Sequence, residues 1–442
     1  MTKNGRLHGH REGNGARARN RTGPIPLPLH LTLAWTSWTS SFAALPILKP
    51  AWPASNPTPN PLLSQNPAHA EKLRRLARKA DARPGFEAAL AGEIRHRLAR
   101  LERGIRAYRD HPYRRDLGCP PVLWHDGSSQ LLDYSGDSRG NGRRKPGRPV
   151  LFVPSLINRF YVLDLMADRS LLRWMAARPT EAPGGPADRL RPMVLEWGTP
   201  GDLERSFTLT DYITKRLVPA LEQAVEEAGG PVPVVGYCMG GLLAVAVAQL
   251  MPDRVSGLAL LATPWDFHAG GPTLPVAAAA MCQPLVEFAG ELPVYAIQAL
   301  FATHDPFLVL RKFRAFADID PESDKAAAFV ALEDWLNDGV ALAGPVALEC
   351  LQGWYGENTP MRRRWTVAGE RIDPRTLELP TLLVVPRADR IVPPGSAMGL
   401  AQELADVQIL RPPLGHIGMV ASARAKDRVW ERLAAWLDQH SF

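Results

Sequence analysis

One stretch near the middle of the chain constrains the fold more than any other. It covers Pro231–Leu250 and reads PVPVVGYCMGGLLAVAVAQL. Val232, Val234 and Val235 predict a short buried strand. The small apolar residues of Leu242–Leu250 contain no helix breaker and predict a buried helix. The residues between them, Gly-Tyr-Cys-Met-Gly-Gly, must therefore turn the chain sharply.

The turn has the pattern glycine, x, nucleophile, x, glycine, with Cys238 at its centre. Side chains at Gly236 or Gly240 would collide where strand and helix pass each other around a strained residue. The helix N-terminus favours thiolate over thiol at Cys238. The pattern predicts the nucleophile elbow of an α/β-hydrolase, with cysteine in place of serine. The alternative is a buried structural cysteine in a glycine-rich turn.

Composition limits the classes of partner. The 442 residues are 45% apolar and 22% charged, which is enough to bury a large core. The net charge of +7 comes partly from the first 22 residues, and no interleaving of basic and aromatic residues predicts a nucleic-acid partner. The four cysteines, none at Cys-x-x-Cys spacing, predict no disulfide framework, metal site or cofactor and are typical of the cytoplasm.

Residues 1–67 predict a disordered, proline-rich extension with one amphipathic helix. A signal peptide is a weaker alternative, because the apolar run holds many Ser, Thr, Pro and Trp residues and is too polar to span a bilayer. The apolar residues at helical spacing are Leu31, Trp35, Trp38, Phe42 and Leu45. We expect this helix to dock on its own domain rather than on another apolar surface. We also expect the chain to remain folded without residues 1–66.

The rest of the chain predicts an α/β protein with an inserted helical region. Residues 68–120 are helical, 121–263 and 380–442 form the core, and 264–379 form a helical cap. A hairpin is predicted at Val122–Trp124 and Leu131–Tyr134. Strands and helices then alternate, which indicates a doubly wound, mostly parallel sheet. The predicted strands are Val150–Val153, Met193–Trp197, Leu258–Ala262, Leu382–Val385 and Val407–Leu410, and the early helices are Ile157–Ala177 and Thr210–Ala228.

A thiol nucleophile needs a base, and the base needs a carboxylate that orients it. Asp389 and His416 each follow a predicted strand, in the chain order that this fold uses. The alternative for each is an ordinary turn residue. Asp266, after an earlier strand, is a rival acid. The remaining polar candidates, Asp338, His268 and His304, lie in the predicted cap, where we expect structural or substrate-lining roles.

The oxyanion hole is expected to consist of two backbone N–H groups. Met239, directly after the nucleophile, supplies one of them. The turn after Val150–Val153 supplies the other, from Leu156 or Ile157.

At these residues the chain resembles the polyhydroxyalkanoate synthases. GYCMGG matches their cysteine lipase box, ADRIVPP their acid motif and LGHIG their histidine motif. VPSLINRFYVLDLMADRSLLRWM, with LEWGTPG later, looks like their oxyanion-loop segment. The likeness runs from about Pro149 to the C-terminus. It implies Cys238 as acyl acceptor, Asp389 as acid and His416 as base.

The chain also departs from that family. Arg390 stands where the family often has histidine, and the Trp-Asn-x-Asp-x-Thr pattern is reduced to Trp335 and Asp338 without the threonine. Pro179–Arg189 looks like an insertion. These differences concern substrate range and polymerising activity more than the catalytic machinery.

The resemblance implies polymerisation of (R)-3-hydroxyacyl-CoA through an acyl-cysteine, with CoA as a leaving group rather than a cofactor. It implies a cytoplasmic enzyme that works on a growing polyester, at a polymer granule surface, as a homodimer or with a second synthase subunit. The alternatives are a cysteine hydrolase, similar to polyester depolymerases or dienelactone hydrolases, and a granule protein without activity.

Overall fold

The computed structural model describes residues 21–43, 84–135, 147–178, 189–269 and 275–441, without the side chains of 41–43 and 275–280. The predicted linker Pro50–Pro67 and most of the insertion at Pro179–Arg189 lie outside these residues. The predicted domain boundaries remain predictions.

The centre of the fold is an eight-stranded sheet with the order β1-β2-β6-β3-β7-β8-β13-β14. In this order, each strand from β6 to β14 pairs in parallel with its neighbour. Strands β1 and β2 form an antiparallel hairpin that is added at the β6 edge. The sheet strands are β1 (Val122–Asp126), β2 (Ser129–Asp133), β3 (Arg148–Val153), β6 (Leu190–Glu196), β7 (Val232–Tyr237), β8 (Val255–Leu261), β13 (Thr381–Val384) and β14 (Val407–Leu410). Short two-residue or three-residue strands form separate pairs: β4 (Asp164–Met166), β5 (Arg169–Ser170), β9 (Glu291–Leu292), β10 (Leu342–Ala343), β11 (Thr366–Val367) and β12 (Glu370–Arg371).

Helices cover both faces of this sheet, and five of them lie in the chain between β8 and β13. The helices are α1 (Leu27–Ala43), α2 (Phe86–Asp110), α3 (Leu171–Ala177), α4 (Leu209–Tyr212), α5 (Val218–Ala228), α6 (Met239–Leu250), α7 (Pro275–Ala289), α8 (Val294–Ala302), α9 (Leu308–Phe316), α10 (Asp324–Leu336), α11 (Gly344–Leu348), α12 (Pro394–Ala401), α13 (Gly418–Ala421) and α14 (Glu431–His440). The turns Ile213–Leu217, Glu349–Gly356 and Lys426–Trp430 are π-helical. The predicted fold class, with its helical cap after the strand that follows the elbow, is confirmed.

Alternation along the strands divides the buried side chains between two cores. Leu151 and Val153 belong to one apolar cluster, while Val150 and Phe152 belong to the other. Because successive side chains of a strand point to opposite faces, the two clusters lie on the two sides of the sheet. The first cluster contains nearly all of α6, which explains why that helix is apolar on every side.

The helix predicted at Ile157–Ala177 is wrong for most of its length. The chain there makes a 3₁₀ turn at Phe160–Leu163, then the hairpin β4–β5, and only the last seven residues form α3. The physical reason is the fully buried carboxylate of Asp164. It accepts hydrogen bonds from Ser170, Tyr134, Arg115 and Arg173, and these partners are met only if the chain folds back at this point.

Helix α1 docks on its own chain, as expected, but by a face that shares only Trp38 with the predicted one among the described side chains. Ala34 and Trp38 are buried, whereas Leu31 and Trp35 are 45% and 61% exposed. The small side chain of Ala34 allows α1 to approach α2 and α9 closely, and this contact decides the buried face. Removal of residues 1–66 would therefore take side chains out of a buried cluster.

The apolar stripe of α2 is covered by the cap helix α9 and by α1. Leu101, Ile105 and Tyr108 are buried there, and α2 crosses α9 at Gly104. A Cβ atom at Gly104 would overlap the backbone carbonyl of Phe313. Glycine at this position therefore sets how closely the N-terminal helical region packs on the cap.

Among the helices that the structure describes, none has the length and apolar character needed to cross a lipid bilayer.

We predict that Gly240→Ala destabilises the protein, because the added Cβ would overlap the carbonyl oxygens of Val153 and Pro154. The expected loss is about 2 kcal/mol, seen as a drop of several degrees in Tm. Gly230→Ala is the matched control, because a Cβ there meets no atom within 4 Å. Equal melting temperatures of the two variants would contradict this account of the turn.

Candidate active site

Cys238 lies at a strained turn between β7 and α6. Its backbone has φ 55° and ψ −126°, a conformation that L-residues rarely adopt. The surrounding contacts hold it there: Cys238 N–H donates to the Leu261 carbonyl at 2.9 Å, and Gly241 N–H donates to the Cys238 carbonyl at 2.9 Å. Such strain persists only where the surroundings over-determine it, and it is typical of active sites.

The glycines of the turn have the steric role that the sequence predicts. A Cβ at Gly236 would overlap the backbone of Gly241, and a Cβ at Gly240 would overlap the end of β3. Gly241 is equally restricted, because its Cβ would meet the side chain of Thr263. The turn therefore leaves room for one side chain at its tip, and that side chain is Cys238.

His416 and Asp389 meet beside this turn. Nδ1 of His416 lies 2.8 Å from Oδ2 of Asp389, and both side chains are buried. The other carboxylate oxygen, Oδ1, accepts the backbone N–H groups of Ile391 and Val392, each at 2.9 Å. The imidazole is therefore held by a carboxylate that is itself held by the backbone of its own turn.

His416 and Cys238 border the same cavity, and the charge of Cys238 acts on the imidazole. Burial alone lowers the pKa of His416. The charge of the Cys238 thiolate, the hydrogen bonds to Asp389 and Cys238, and the charge of Asp389 together outweigh burial and raise this pKa to about 10. The arrangement thus favours the protonated form of His416. Tyr237 supports it, with its ring 5.3 Å from the imidazole ring.

The rival acid is not brought to this site. Asp266 accepts hydrogen bonds from the side chain of Asn358 at 2.8 Å and from the backbone of His268 at 2.9 Å. Asp338 accepts the Tyr161 hydroxyl at 2.9 Å, and His268 contacts the Tyr355 carbonyl at 2.9 Å. Asp266 and His268 thus contact other residues of the predicted cap, while Asp338 joins the cap to the turn at Phe160–Leu163, and these contacts fit the structural one of the two roles expected for Asp338 and His268.

Two cavities meet at Cys238. The larger, of about 200 Å³, is bordered by many polar side chains, among them Arg159, Lys312, Glu333 and His416. The smaller, of about 120 Å³, is mainly apolar and is lined by side chains such as Phe267, Ile297, Leu342, Leu351 and Trp354. His304, predicted to line the substrate site, borders both cavities. Both cavities are therefore mainly apolar, and the larger one differs in that charged side chains also border it.

The predicted oxyanion donors lie around this junction. Met239 begins α6 and lines the smaller cavity. Ile157 borders both cavities, whereas Leu156 is 4% exposed and belongs to the core. The backbone N–H of Ile157 donates to Ser155 Oγ at 3.4 Å, and the assignments of Met239 and of Leu156 or Ile157 as oxyanion donors remain predictions.

Sequence reasoning missed several cavity residues. Tyr355 lines the smaller cavity near Cys238. Burial raises the pKa of its phenol, and the charge of Cys238 raises it further. Cys350, from the same π-helical turn, lines that cavity too. π-Helical turns are frequent at functional sites, but no local signal in the sequence marks this one.

A family model described as "alpha/beta hydrolase fold" matches residues 191–420, more than half of the sequence. The chain belongs to the α/β-hydrolase fold family. A second family model, described as "Poly-beta-hydroxybutyrate polymerase (PhaC) N-terminus", matches residues 121–175 of this hydrolase-fold chain.

Curated relatives agree with the second model. The chain is 28% identical to "Poly(3-hydroxyalkanoate) polymerase subunit PhaC" of Haloferax mediterranei over 72% of this chain and 64% of that protein. It is 27% identical to the subunit of the same name from Allochromatium vinosum, over 73% of this chain and 90% of that protein. Less than two thirds of the Haloferax protein is therefore matched. The resemblance to polyhydroxyalkanoate synthases is confirmed.

Solved structures were also compared with this hydrolase-fold chain. A monoacylglycerol lipase of Paleococcus ferrophilus matches 71% of this chain and 100% of its own, with 16% identity and a TM-score of 0.43.

We predict that Asp389→Asn lowers the pKa of His416 by about 1 to 3 units from its value of about 10, because the carboxylate next to Nδ1 is lost. The measurement is an NMR titration of the His416 ring. The exposed Asp253 is the control, and Asp253→Asn should leave the titration unchanged. A His416 pKa that is the same in Asp389→Asn and the unmodified protein would refute the assigned pairing.

Proposed function

We propose that this chain is a polyhydroxyalkanoate synthase-like acyltransferase that polymerises (R)-3-hydroxyacyl-CoA through an acyl-cysteine. One observation carries the proposal. Cys238 at the elbow and His416, which Asp389 holds at 2.8 Å, border the same cavity, and a second apolar cavity also adjoins Cys238. The names of the relatives supply the substrate class.

The first half-reaction starts with His416 protonated and Cys238 as a thiolate. The Cys238 thiolate attacks the carbonyl carbon of the thioester, and the tetrahedral oxyanion is stabilised by backbone N–H groups. When the bond from carbon to the CoA sulfur breaks, the His416 imidazolium gives its proton to the departing thiolate. The products are neutral CoA thiol, an acyl-cysteine and a neutral imidazole that still donates Nδ1–H to Asp389.

The second half-reaction restores the ion pair. The hydroxyl of another hydroxyacyl unit attacks the acyl-cysteine while Nε2 of His416 takes its proton. The carbon–sulfur bond breaks, an ester forms, and Cys238 leaves as thiolate beside the imidazolium. Exchange of one thioester for another is nearly isoenergetic, which is a physical reason for cysteine rather than serine at the elbow.

The two cavities suit the two parts of such a substrate. The apolar cavity fits a short acyl chain, because burying its methylenes is worth about 0.8 kcal/mol each. The larger cavity is also mainly apolar, but charged and polar side chains border it, and these suit the amide groups in the arm of CoA. Because both spaces adjoin Cys238, a thioester bound across the junction has its carbonyl next to the nucleophile.

Transfer must compete with hydrolysis, since water also attacks an acyl-cysteine. The cap supplies the exclusion of water that transfer needs, because cap side chains border both cavities. We further propose that the enzyme is cytoplasmic and extends a polyester at a granule surface, as a homodimer or with a second subunit. The basis for this part is the family resemblance alone.

We predict that Cys238→Ala abolishes CoA release and polymer formation from 3-hydroxybutyryl-CoA while the protein still melts cooperatively. Free thiol and insoluble polymer are followed in the same reaction. Cys119→Ala is the matched control, because Cys119 is exposed and borders neither cavity. Full activity of Cys238→Ala would remove the proposal, whereas CoA release with free hydroxy acid and no polymer in the unmodified protein would favour the hydrolase.

We predict that Trp335→Ala raises the ratio of free hydroxy acid to polymer. Trp335 is 3% exposed, lines the larger cavity, and donates from Nε1 to the Arg159 carbonyl at 2.8 Å. Its removal should open a path for water to the acyl-cysteine, so the ratio should change more than the rate of CoA release does.

The control for this variant is Trp430→Ala, which removes an equally buried indole that borders neither cavity. Both variants should lose stability, by about 3 to 5 kcal/mol. Only Trp335→Ala should change the product ratio. The same ratio in both variants would show that Trp335 serves packing alone.

A further inference from the structure

The turn that follows β3, residues 154–159, borders the nucleophile. It connects β3 to the 3₁₀ turn at Phe160–Leu163 and belongs to no strand of the central sheet. The residues of this β3 turn that line the larger cavity, together with Cys238, are Pro154, Ser155, Ile157, Asn158 and Arg159. Because no ladder of the sheet holds the β3 turn, its position depends on contacts from other elements.

Glu196, the last residue of β6, binds the end of the β3 turn. Its Oε1 accepts a hydrogen bond from Nη1 of Arg159 at 3.0 Å, and its Oε2 accepts the backbone N–H of Phe160 at 3.2 Å. The backbone N–H of Gly198 also donates to Oε1, at 3.1 Å. The Glu196 side chain is 15% exposed, so these charge-assisted bonds are largely shielded from water. One carboxylate thus holds both a side chain and a backbone group of the same short stretch.

Arg159 extends this attachment towards the cap. Its Nη2 donates to Oγ1 of Thr199 at 2.8 Å, and its Nε lies 3.8 Å from Oδ1 of Asp338. A guanidinium is planar and its donors have fixed directions, so partners on several sides fix its orientation as well as its position. Arg159 therefore links the end of β6 to the cap across the β3 turn.

The cap also holds the backbone of the β3 turn. The N–H of Val340 donates to the Ile157 carbonyl at 3.0 Å, and Nε1 of Trp335 donates to the Arg159 carbonyl at 2.8 Å. Because a peptide unit is planar, a carbonyl held in this way also fixes the direction of the N–H group that follows it. The backbone N–H groups of the β3 turn are therefore oriented by contacts on two sides, from Glu196 and from the cap.

We propose that Glu196 is a positioning residue, which holds the β3 turn so that an N–H group of this turn stabilises the oxyanion formed at Cys238. This inference rests on the proposed function for one step only, the acylation of Cys238. Glu196 itself borders neither cavity. A substitution there changes no side chain that lines the substrate space, and it acts on the reaction only through the β3 turn.

The test compares two reactions of the same thiolate. Acylation by 3-hydroxybutyryl-CoA passes through a tetrahedral oxyanion, whereas iodoacetamide loses iodide from a saturated carbon and forms no oxyanion. We expect Glu196→Ala to slow acylation about 10- to 100-fold with little change in KM, because the lost stabilisation belongs to the transition state. The rate of alkylation at Cys238 should stay unchanged. CoA release reports the first reaction, and mass spectrometry of the peptide that contains Cys238 reports the second.

Two further variants make the comparison specific. Glu196→Gln keeps one oxygen that accepts a hydrogen bond, so its acylation rate should lie between those of Glu196→Ala and the unmodified protein. Glu227→Gln is the matched control. Glu227 also pairs with an arginine of β6, Arg191, at 2.8 Å, but it borders neither cavity. This control should change neither reaction.

Two results would overturn the inference. An equal slowing of acylation and alkylation in Glu196→Ala would assign Glu196 to packing, and unchanged acylation would show that the β3 turn is held without it. The same comparison with p-nitrophenyl acetate separates this inference from the proposed function, because this small ester also forms an oxyanion at Cys238. Slow acylation by the ester with normal alkylation in Glu196→Ala would support the inference even if the unmodified protein forms no polymer.

Discussion

The close approach of β7 and α6 is the constraint on which the site depends. It forces Cys238 to φ 55°, and only glycines fit at positions 236, 240 and 241. The helix is apolar on every side because it fills the core below the turn. Packing of α6 therefore holds the nucleophile in place, and the strain at one residue is distributed over a buried helix and three strands.

The pairing of His416 with Asp389 depends on the same central sheet. His416 and Asp389 follow β14 and β13, which pair in parallel next to β8, so their loops emerge at one edge of the sheet. The backbone N–H groups of Ile391 and Val392 donate to the Asp389 carboxylate and hold it next to Nδ1 of His416. An imidazolium with a pKa of about 10 is the result of three charges brought together by strand order rather than by sequence proximity.

Local patterns in the sequence were sufficient to predict the sheet, the elbow and the pairing of His416 with Asp389. Each depends on short-range rules: alternation in strands, glycines at a tight turn, and residues after strand ends. The helix predicted at Ile157–Ala177 was wrong because the buried carboxylate of Asp164 accepts hydrogen bonds from residues as distant in sequence as Arg115. The predicted buried face of α1 was correct for Trp38 and wrong for Leu31 and Trp35, because contacts with other helices bury Ala34 instead. His30 borders the larger cavity with no local signal in the sequence, because His30 and Lys312 meet only after the cap has folded.

In the proposed reaction, the balance between transfer and hydrolysis depends on whether a substrate hydroxyl or water reaches the acyl-cysteine first. The triad treats water and a substrate hydroxyl alike, because either can give its proton to His416. The difference must come from the walls of the two cavities, which are built largely by the cap and partly by the N-terminal segment, residues 21–43. Those walls are fastened by a few directed contacts, such as Arg21 with Asp334 and Trp335 with the Arg159 carbonyl. Under the proposed function, the core supplies the acyl-transfer chemistry, while the cap and the N-terminal segment determine whether water or a substrate hydroxyl attacks the acyl-cysteine.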